Sequence, residues 1–371
     1  MEKAKIACCM TTVGYSGAPK MMAWIASQMA KNGCNVDLVT YYHNKDIQPI
    51  YETVKRFNFN IKHRSSNTIG KIIETLLAYK RLCAYVKKEK PDIIIMFSNL
   101  VSFLYLLLRI NRKTPVIISE RGDPDKGGVI YRILRKSYYF ANIIVFQTEE
   151  AKEKFPNKIQ NKSVVIPNPV IQAYRKRVEY SKRDNTIAFA ARFNIEQKRQ
   201  DIMVEAFEIV HKKHPTIKLN FFGDGPDIKK IMDMVEEKNL SRHVKFFGFV
   251  SPIEKYIRNS AVFVLTSDYE GIPNALIDAM ALGMPVVSTN CSPGGAKLLI
   301  DNYKNGILVP RSDSKKVAEA INFLLENPQE ADKMGTKAQD IINRFSPESI
   351  YSLWLKVINS ILKNVKGKND D

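Results

Sequence analysis

The sequence predicts an α/β protein with two parallel sheets, each covered by helices. Three observations carry this. Short β-branched apolar runs alternate with stretches of helical period in both halves of the chain. The alternation breaks after Ile166-Pro167-Asn168-Pro169, where a polar, charged segment without clear period follows, and then restarts. The stretch Ser267 to Lys297 runs as loop, helix, strand and glycine loop behind an apolar strand at Ala261–Leu265. That order places backbone N–H groups and a helix N-terminus at strand ends, where open parallel sheets bind anionic ligands.

In chain order, Lys5–Met10 is predicted as a strand, followed by a loop carrying Gly14 and Gly17. A helix over Lys20–Asn32 ends at Gly33, and Asn35–Tyr41 is the next strand. Ile69–Lys88 has helical spacing, with Ile69, Ile72, Ile73, Leu76 and Leu77 as its apolar set and lysines elsewhere on it. Strands at Pro91–Phe97, Val116–Ser119 and Ile143–Phe146 alternate with helices at Leu100–Ile110 and Tyr131–Phe140. The domain boundaries follow: 1–168, a linker at 169–185, 186–345, and a C-terminal helix over 346–371 expected to pack back toward the first domain. The second domain begins with strand Thr186–Ala190, helix Gln200–His211 and strand Lys218–Phe222. Helix Ile228–Lys238, strand Val244–Phe247 and the helix from Pro273 to Gly283 come next. It closes with helices at Ser314–Glu326 and Gln329–Arg344, and residues 366–371 read as a frayed tail.

Composition narrows the function. The 371 residues exceed a usual single-domain length, and 45% hydrophobic content suffices for real cores. Five cysteines, odd in number and without a CxxC, suit a reducing compartment. The N-terminus reads at once as a short strand rather than a signal peptide, and no apolar run reaches the roughly 18–20 residues that span a bilayer. The expectation is a cytoplasmic protein. Its net charge of +19 is lopsided: residues 1–168 hold 27 basic against 13 acidic groups, hence +14, and 169–371 hold 30 against 25, hence +5. Such a field suits a solvated basic face, an anionic membrane or a nucleic acid.

Arg192 and Lys198 follow a predicted strand, six residues apart, and both can converge on one diphosphate. Arginine supplies a fork and lysine a point charge; a solvated loop is the plain alternative. Glu270 lies in the loop before the Pro273 helix, and Asp278 in its second turn. The pair reads either as helix capping with a surface charge or as carboxylates accepting from sugar hydroxyls, beside backbone N–H groups from Ile272 to Leu276.

Taken together, Arg192 with Lys198, Gly223-Asp224-Gly225-Pro226, and Glu270 through Ala281 resemble the retaining glycosyltransferases of family 4, which have the GT-B fold. The resemblance covers most of the chain, including Gly14 to Lys20, Ile118 to Pro124, and Ile166 to Pro169. It implies two Rossmann-like domains facing across a cleft, the second binding a nucleotide sugar with UDP as the expected nucleotide. Arg192 and Lys198 would hold the diphosphate and stabilise the leaving group. Glu270 would contact the donor sugar, Asp278 the ribose. Gly271, Ile272, Pro273, Asn274 and Ala275 would cradle sugar and phosphate, and the loop with Gly14 and Gly17 would close over the donor. A hexose or N-acetylhexosamine would pass to a hydroxyl of a glycan acceptor, with no cofactor and no metal.

This chain departs from the family in three places. Asp278 stands where glutamate is usual, and Ala191 where glycine commonly precedes the arginine. Glu120 and Arg121 occupy the loop after the fourth N-terminal strand, where many members carry histidine, and are candidates to meet acceptor or donor sugar. Asp123-Pro124-Asp125 spells a DxD without the context of a metal site, and Cys291 reads as a packed residue. His211 and His214 read as a polar helix end rather than a ligand pair.

Since the family places its acceptor at the basic N-terminal half, the expected partner is a polyprenyl-diphosphate-linked saccharide at the anionic inner membrane face. Leu100–Ile110 and the Ile69–Lys88 helix are the candidate contacts. A GT-B sugar-nucleotide 2-epimerase and a basic nucleic-acid-binding α/β protein are the rival readings. The second has only charge in its favour.

Overall fold

The computed structural model describes residues 4–14, 17–43, 48–62, 68–108, 113–172 and 176–366. The chain groups into two compact units, one of residues 1–167 with 348–371, the other of 168–347.

In the first unit, β1 (Lys5–Met10), β2 (Asn35–Tyr42), β3 (Lys55–Ile61), β4 (Ile93–Phe97), β5 (Val116–Ser119), β6 (Ile143–Phe146) and β7 (Ser163–Val165) form one sheet. Its order is β3-β2-β1-β4-β5-β6-β7, parallel throughout. Its helices are α1 (Gly17–Lys31), α2 (Thr68–Glu89), α3 (Leu100–Leu108), α4 (Gly128–Leu134), α5 (Glu149–Glu153) and α6 (Asn157–Gln160). Every residue of β4 and β5 is buried, as central parallel strands require. Crossovers β3 to β4, β4 to β5 and β5 to β6 all run the same way across the sheet. The right-handed rule then sets α2, α3 and α4 on one sheet face. Their cores agree: Tyr79 and Leu82 of α2, Phe103 and Leu106 of α3, and Tyr138 share one buried cluster.

The second unit holds β8 (Asp184–Ala190), β9 (Lys218–Phe222), β10 (Val244–Phe246), β11 (Ser260–Leu265), β12 (Val286–Thr289) and β13 (Ile307–Val309), ordered β10-β9-β8-β11-β12-β13. These strands too are all parallel. Its helices are α7 (Ile195–Lys198), α8 (Gln200–Lys213), α9 (Ile228–Glu237), α10 (Glu254–Ile257), α11 (Asn274–Ala281), α12 (Gly295–Leu299), α13 (Ser314–Glu326), α14 (Pro328–Ala338) and α15 (Ile341–Arg344). Each large side chain fully buried in β11 contributes about 1.5–3 kcal/mol, so the end of that strand is a rigid platform. The final helix, α16 (Pro347–Lys366), lies with the first unit from Glu348 on.

The structure differs from expectation in several places. β3, β7 and β13 are added edge strands, and β3 makes Glu120 follow the fifth strand rather than the fourth. The Tyr131–Phe140 helix is α4 followed by a 3-10 turn over Arg135–Phe140, and the Gln329–Arg344 helix is divided into α14 and α15. Segment 176–183 is held against the second unit: Arg177 forks onto Asp332 at 2.6 and 2.9 Å, and Arg183 donates to Gly283 O at 2.9 Å. Residues 173–175 of the expected linker and 367–371 of the expected tail lie outside the described residues, as do Tyr15 and Ser16 of the glycine loop.

Candidate functional site in the second unit

β8 and β11 are adjacent parallel strands, and their C-terminal ends set the site. Beyond β8 come Ala191, Arg192 and Phe193. Phe193 is buried against Phe221 and Phe246 and anchors the turn. Gly225 lies so close to this turn that a Cβ there would sit 2.2 Å from Phe193 O. Only glycine allows that approach. Arg192 is left exposed, and its guanidinium makes no hydrogen bond or ion pair among the described residues.

α7 then brings Lys198 round, capped by Asn194, whose side chain accepts from Gln197 N at 3.0 Å. Arg199 follows in the left-handed region at φ 50, ψ 48, turning the chain into α8. Such a conformation in a bulky residue needs holding. Arg199 is held by Asp201, by Asp268 at 2.9 Å and by Ser312 at 2.6 Å; the bonds to the two aspartates, the one to Asp201 foremost, raise its pKa. Further bonds join the same two loops. Thr266 Oγ1 lies 2.7 Å from Arg199 O, Gln197 Nε2 donates to Tyr269 O at 3.1 Å, and Asp268 N donates to Gln197 O at 2.9 Å.

This weld positions Lys198 against Glu270. The ammonium donates to Glu270 Oε1, with side chains 18% and 10% exposed. Ser267 Oγ donates to the same oxygen at 2.8 Å, and Glu270 N donates to Ser292 O at 2.8 Å. The glycine loop braces the other side: a Cβ on Gly295 would stand 1.9 Å from Gly271 O. Burial, with the Glu270 charge second, pushes the Cys291 thiol up to about 12, so it is a neutral packed group.

The Glu270 loop leads into α11, with Pro273 at its N-cap position. Backbone amides of Gly271, Ile272, Asn274 and Ala275 donate to no acceptor among the described residues. Pro273 has no N–H to leave over. Asn168 Nδ2 donates to Asn274 Oδ1 at 2.8 Å and steadies the first residue of α11. Asp278 is half-buried on the second turn, on the helix that Glu270 precedes. Four unfilled amides at a helix N-terminus, an exposed arginine and a lysine–glutamate pair form a site that can take a negative group and hydroxyls together.

The two N-terminal candidates sit in the first unit. Glu120 is buried, and its carboxylate is surrounded: Arg135 Nε donates at 2.8 Å, Tyr138 Oη at 2.7 Å and Ser98 Oγ at 3.0 Å. It anchors the turn beyond β5. Arg121 stacks over Phe97, with its guanidinium carbon 4.4 Å from the ring centroid, and burial pushes its pKa down to about 9. Asp123 and Asp125 each pair with Lys154 at 2.7 Å. Gly14 follows β1, its carbonyl accepting from Gln48 at 3.3 Å, and Gly17 opens α1.

The sequence reading missed Ser267, Gln197, Arg199 and Thr266. Polar residues in a strand-end loop carry no period, and only the spatial neighbour of Lys198 reveals what they hold.

Two family models match the chain almost end to end: Glycosyltransferase Family 4 over residues 15–172 and Glycosyl transferases group 1 over residues 170–341. The chain belongs to the family-4-like glycosyltransferases of the GT-B fold. Among its relatives is a poly(ribitol-phosphate) alpha-N-acetylglucosaminyltransferase of Staphylococcus aureus. It is 36% identical over 164 residues, which are 44% of this chain and 33% of the relative. A Campylobacter jejuni alpha-1,4-N-acetyl-D-galactosaminyltransferase, named for an undecaprenol-diphosphate-linked saccharide, is 22% identical over 361 residues, 96% of this chain and 99% of its own. The Anabaena protein Alr3699/HepE, solved in complex with UDP and glucose, superposes with a TM-score of 0.77 at 17% identity, covering 96% of this chain and all of its own.

Proposed function

We propose that this glycosyltransferase moves a hexose or N-acetylhexosamine from a UDP-sugar to a hydroxyl of a polyprenyl-diphosphate-linked glycan, with retention at the anomeric carbon. Its place is surface polysaccharide or glycoconjugate biosynthesis at the anionic inner face of the cell membrane. The observation that carries the reading is the Lys198–Glu270 pair on loops beyond the adjacent strands β8 and β11, which also carry exposed Arg192 and four unfilled amides. The Campylobacter relative's name supports the lipid-linked acceptor, and the UDP in HepE supports the nucleotide. No helix among the described residues is long and apolar enough to cross a membrane, which fits a protein that works from the surface.

In this reading the donor diphosphate draws Lys198 and Arg192 to itself, and Glu270, released from its ion pair, accepts from the sugar hydroxyls. Amides of Gly271 to Ala275 hold the phosphate and sugar, and Asp278 accepts from the ribose, one methylene shorter than glutamate would be. The bond from the anomeric carbon to the diphosphate breaks, and the acceptor oxygen bonds to the same face of that carbon. Its proton passes to the departing phosphate oxygen. Arg192 and Lys198 neutralise the charge that develops there, a task other transferases give to a metal ion.

The test is incubation with a panel of nucleotide sugars and polyprenyl-diphosphate-linked acceptors, with and without a chelator, reading product mass and anomeric configuration. The expected product gains one α- or β-linked sugar of the donor's own anomeric configuration, from a UDP-sugar, in the presence of chelator. Inverted configuration, or conversion of the donor with no acceptor present, overturns the reading.

A further inference from the structure

The segment Ile166-Pro167-Asn168-Pro169 holds its asparagine between two prolines. Pro167 has a fixed φ, and a residue before proline is confined to extended conformations, so both neighbours restrict this stretch before any tertiary contact forms. Just beyond, Val170 N donates to Phe345 O at 2.8 Å. Asn168 opens the second unit and is 3% exposed. Its Nδ2 donates at 2.8 Å to Oδ1 of Asn274, 106 residues further along the chain.

Asn274 is the first residue of α11, and the residues that complete its first turn, Ala275, Leu276 and Ile277, have no polar side chain. Pro273 at the N-cap offers none either, so no side-chain oxygen caps the helix. Asn274 Oδ1 is therefore the one side-chain acceptor on that turn, and Asn168 occupies it. A carboxamide is planar, with an acceptor oxygen on one side of Cγ and a donor nitrogen on the other. Asn274 is half-buried, and its Nδ2 donates to no acceptor among the described residues. The bond from Asn168 thus leaves a side-chain donor beside the unfilled backbone amide of the same residue. At the start of the same loop Glu270 is 8% exposed, and its Oε2 accepts from no donor among the described residues. A buried carboxylate oxygen without a donor and a run of donors without acceptors together describe a seat for a group that brings both.

We propose that Asn274 Nδ2 donates to a phosphate oxygen of the bound nucleoside diphosphate, and that Asn168 is the positioning residue that turns it there. A carbonyl oxygen facing a phosphate would repel it, and Asn168 keeps that oxygen out of the site. A purely structural tie between Asn168 and α11 would be satisfied by either end of the Asn274 amide. Binding an anion requires the oxygen to be the end that is tied. Hydrogen bonds to a charged acceptor are about twice as strong as neutral ones, so one oriented amide has a measurable effect. This role rests on the donor site proposed above and adds a side-chain contact to its backbone cradle.

The test is calorimetric titration of the full chain with UDP, GDP and ADP, beside ligand-observed NMR with the corresponding nucleosides. Asn274→Ala removes the donor and is expected to weaken UDP binding by about tenfold. Asn168→Asp keeps the shape but cannot donate. The Asn274 amide then turns its nitrogen to the new carboxylate and its oxygen to the phosphate, and UDP binding falls by about tenfold or more. Uridine, which has no phosphate, binds both variants as it binds the parent. Adding Asn168→Asp to Asn274→Ala costs less than about a further twofold, because no amide is left to turn. Melting temperatures identify any loss of fold in Asn168→Asp, and Asn274→Ala puts a strong helix former at a half-buried helix position and keeps the fold. UDP affinity of Asn274→Ala within about twofold of the parent, or an equal loss of uridine binding, overturns the proposal and leaves the donor site standing. A larger further loss in the double variant means that the carboxylate acts by charge alone and overturns the role of Asn168. The same pattern of losses with GDP or ADP in place of UDP upholds the asparagine pair and overturns the choice of nucleotide alone. A parent that binds no nucleoside diphosphate overturns both.

Discussion

Lys198 and Glu270, 72 residues apart in the chain, form an ion pair at the ends of neighbouring parallel strands. The pair exists because Arg199, Thr266, Gln197 and Asp268 join the two loops that carry it. Ser267 Oγ donates to the carboxylate with a 2.8 Å bond. In the function proposed here, a nucleotide diphosphate would offer Lys198 more negative charge than one carboxylate does, making the pair a resting state for the donor to open.

Arg192 is expected to serve the donor site and not the fold. Its side chain is exposed and unpaired among the described residues, so Arg192→Ala should change unfolding free energy by less than about 0.5 kcal/mol. Transfer should fall by about a hundredfold or more. Urea unfolding and steady-state kinetics on one preparation check both halves.

Asp278→Ala should weaken UDP binding by roughly tenfold, the loss expected for one or two hydrogen bonds. Asp278→Glu should restore it, because α11 leaves that turn half-exposed with room for one methylene. Calorimetric titration with UDP reads the difference.

Glu120 predicts a stability effect. Removing a buried carboxylate that accepts from Arg135, Tyr138 and Ser98 leaves an arginine with 11% exposure and no counter-charge. Glu120→Ala should therefore cost roughly 3–5 kcal/mol. The deficit should appear in thermal melting, while UDP affinity measured well below the melting point stays unchanged.

The fold should lose stability in mild acid through His211. Burial first, and the neighbouring His243 second, hold its pKa below the ordinary 6.5; the two rings are 4.0 Å apart. A base whose folded pKa is depressed binds more protons unfolded. Its contribution is therefore complete above pH 6.5 and is lost as pH falls from there through the folded value. Denaturation at pH 7.5 and 5.5 should show a drop that His211→Leu reduces.

Most strands of the two sheets were legible in the sequence, β3 and the three-residue edge strands β7 and β13 excepted, because buried parallel strands are nearly continuous apolar runs. β4 and β11 are such runs. β3 escaped because an edge strand with Lys55, Arg56, Asn58 and Asn60 carries its apolar residues only at Phe57, Phe59 and Ile61. For α2 the spacing left open which face the sheet would take. Period identifies an apolar face, but a helix with tyrosines and a leucine on its other side can bury either, and Tyr79, Leu82 and Tyr85 won. Arg192, Lys198, Glu270 and Asp278 were singled out by motif order, yet the bonds joining their loops depend on strand adjacency, which linear spacing does not encode. Glu120 was singled out by its position after a strand, and only its three partners reveal the job it does.

The central claim is that Glu270 serves the donor sugar rather than the fold. The direct measurement is the initial rate of transfer by Glu270→Ala beside the parent, from the active UDP-sugar, with UDP affinity and melting temperature recorded on both. Loss of transfer by about a hundredfold or more, with UDP still bound and melting nearly unchanged, is the predicted result. Transfer by Glu270→Ala at close to the parent rate contradicts the account.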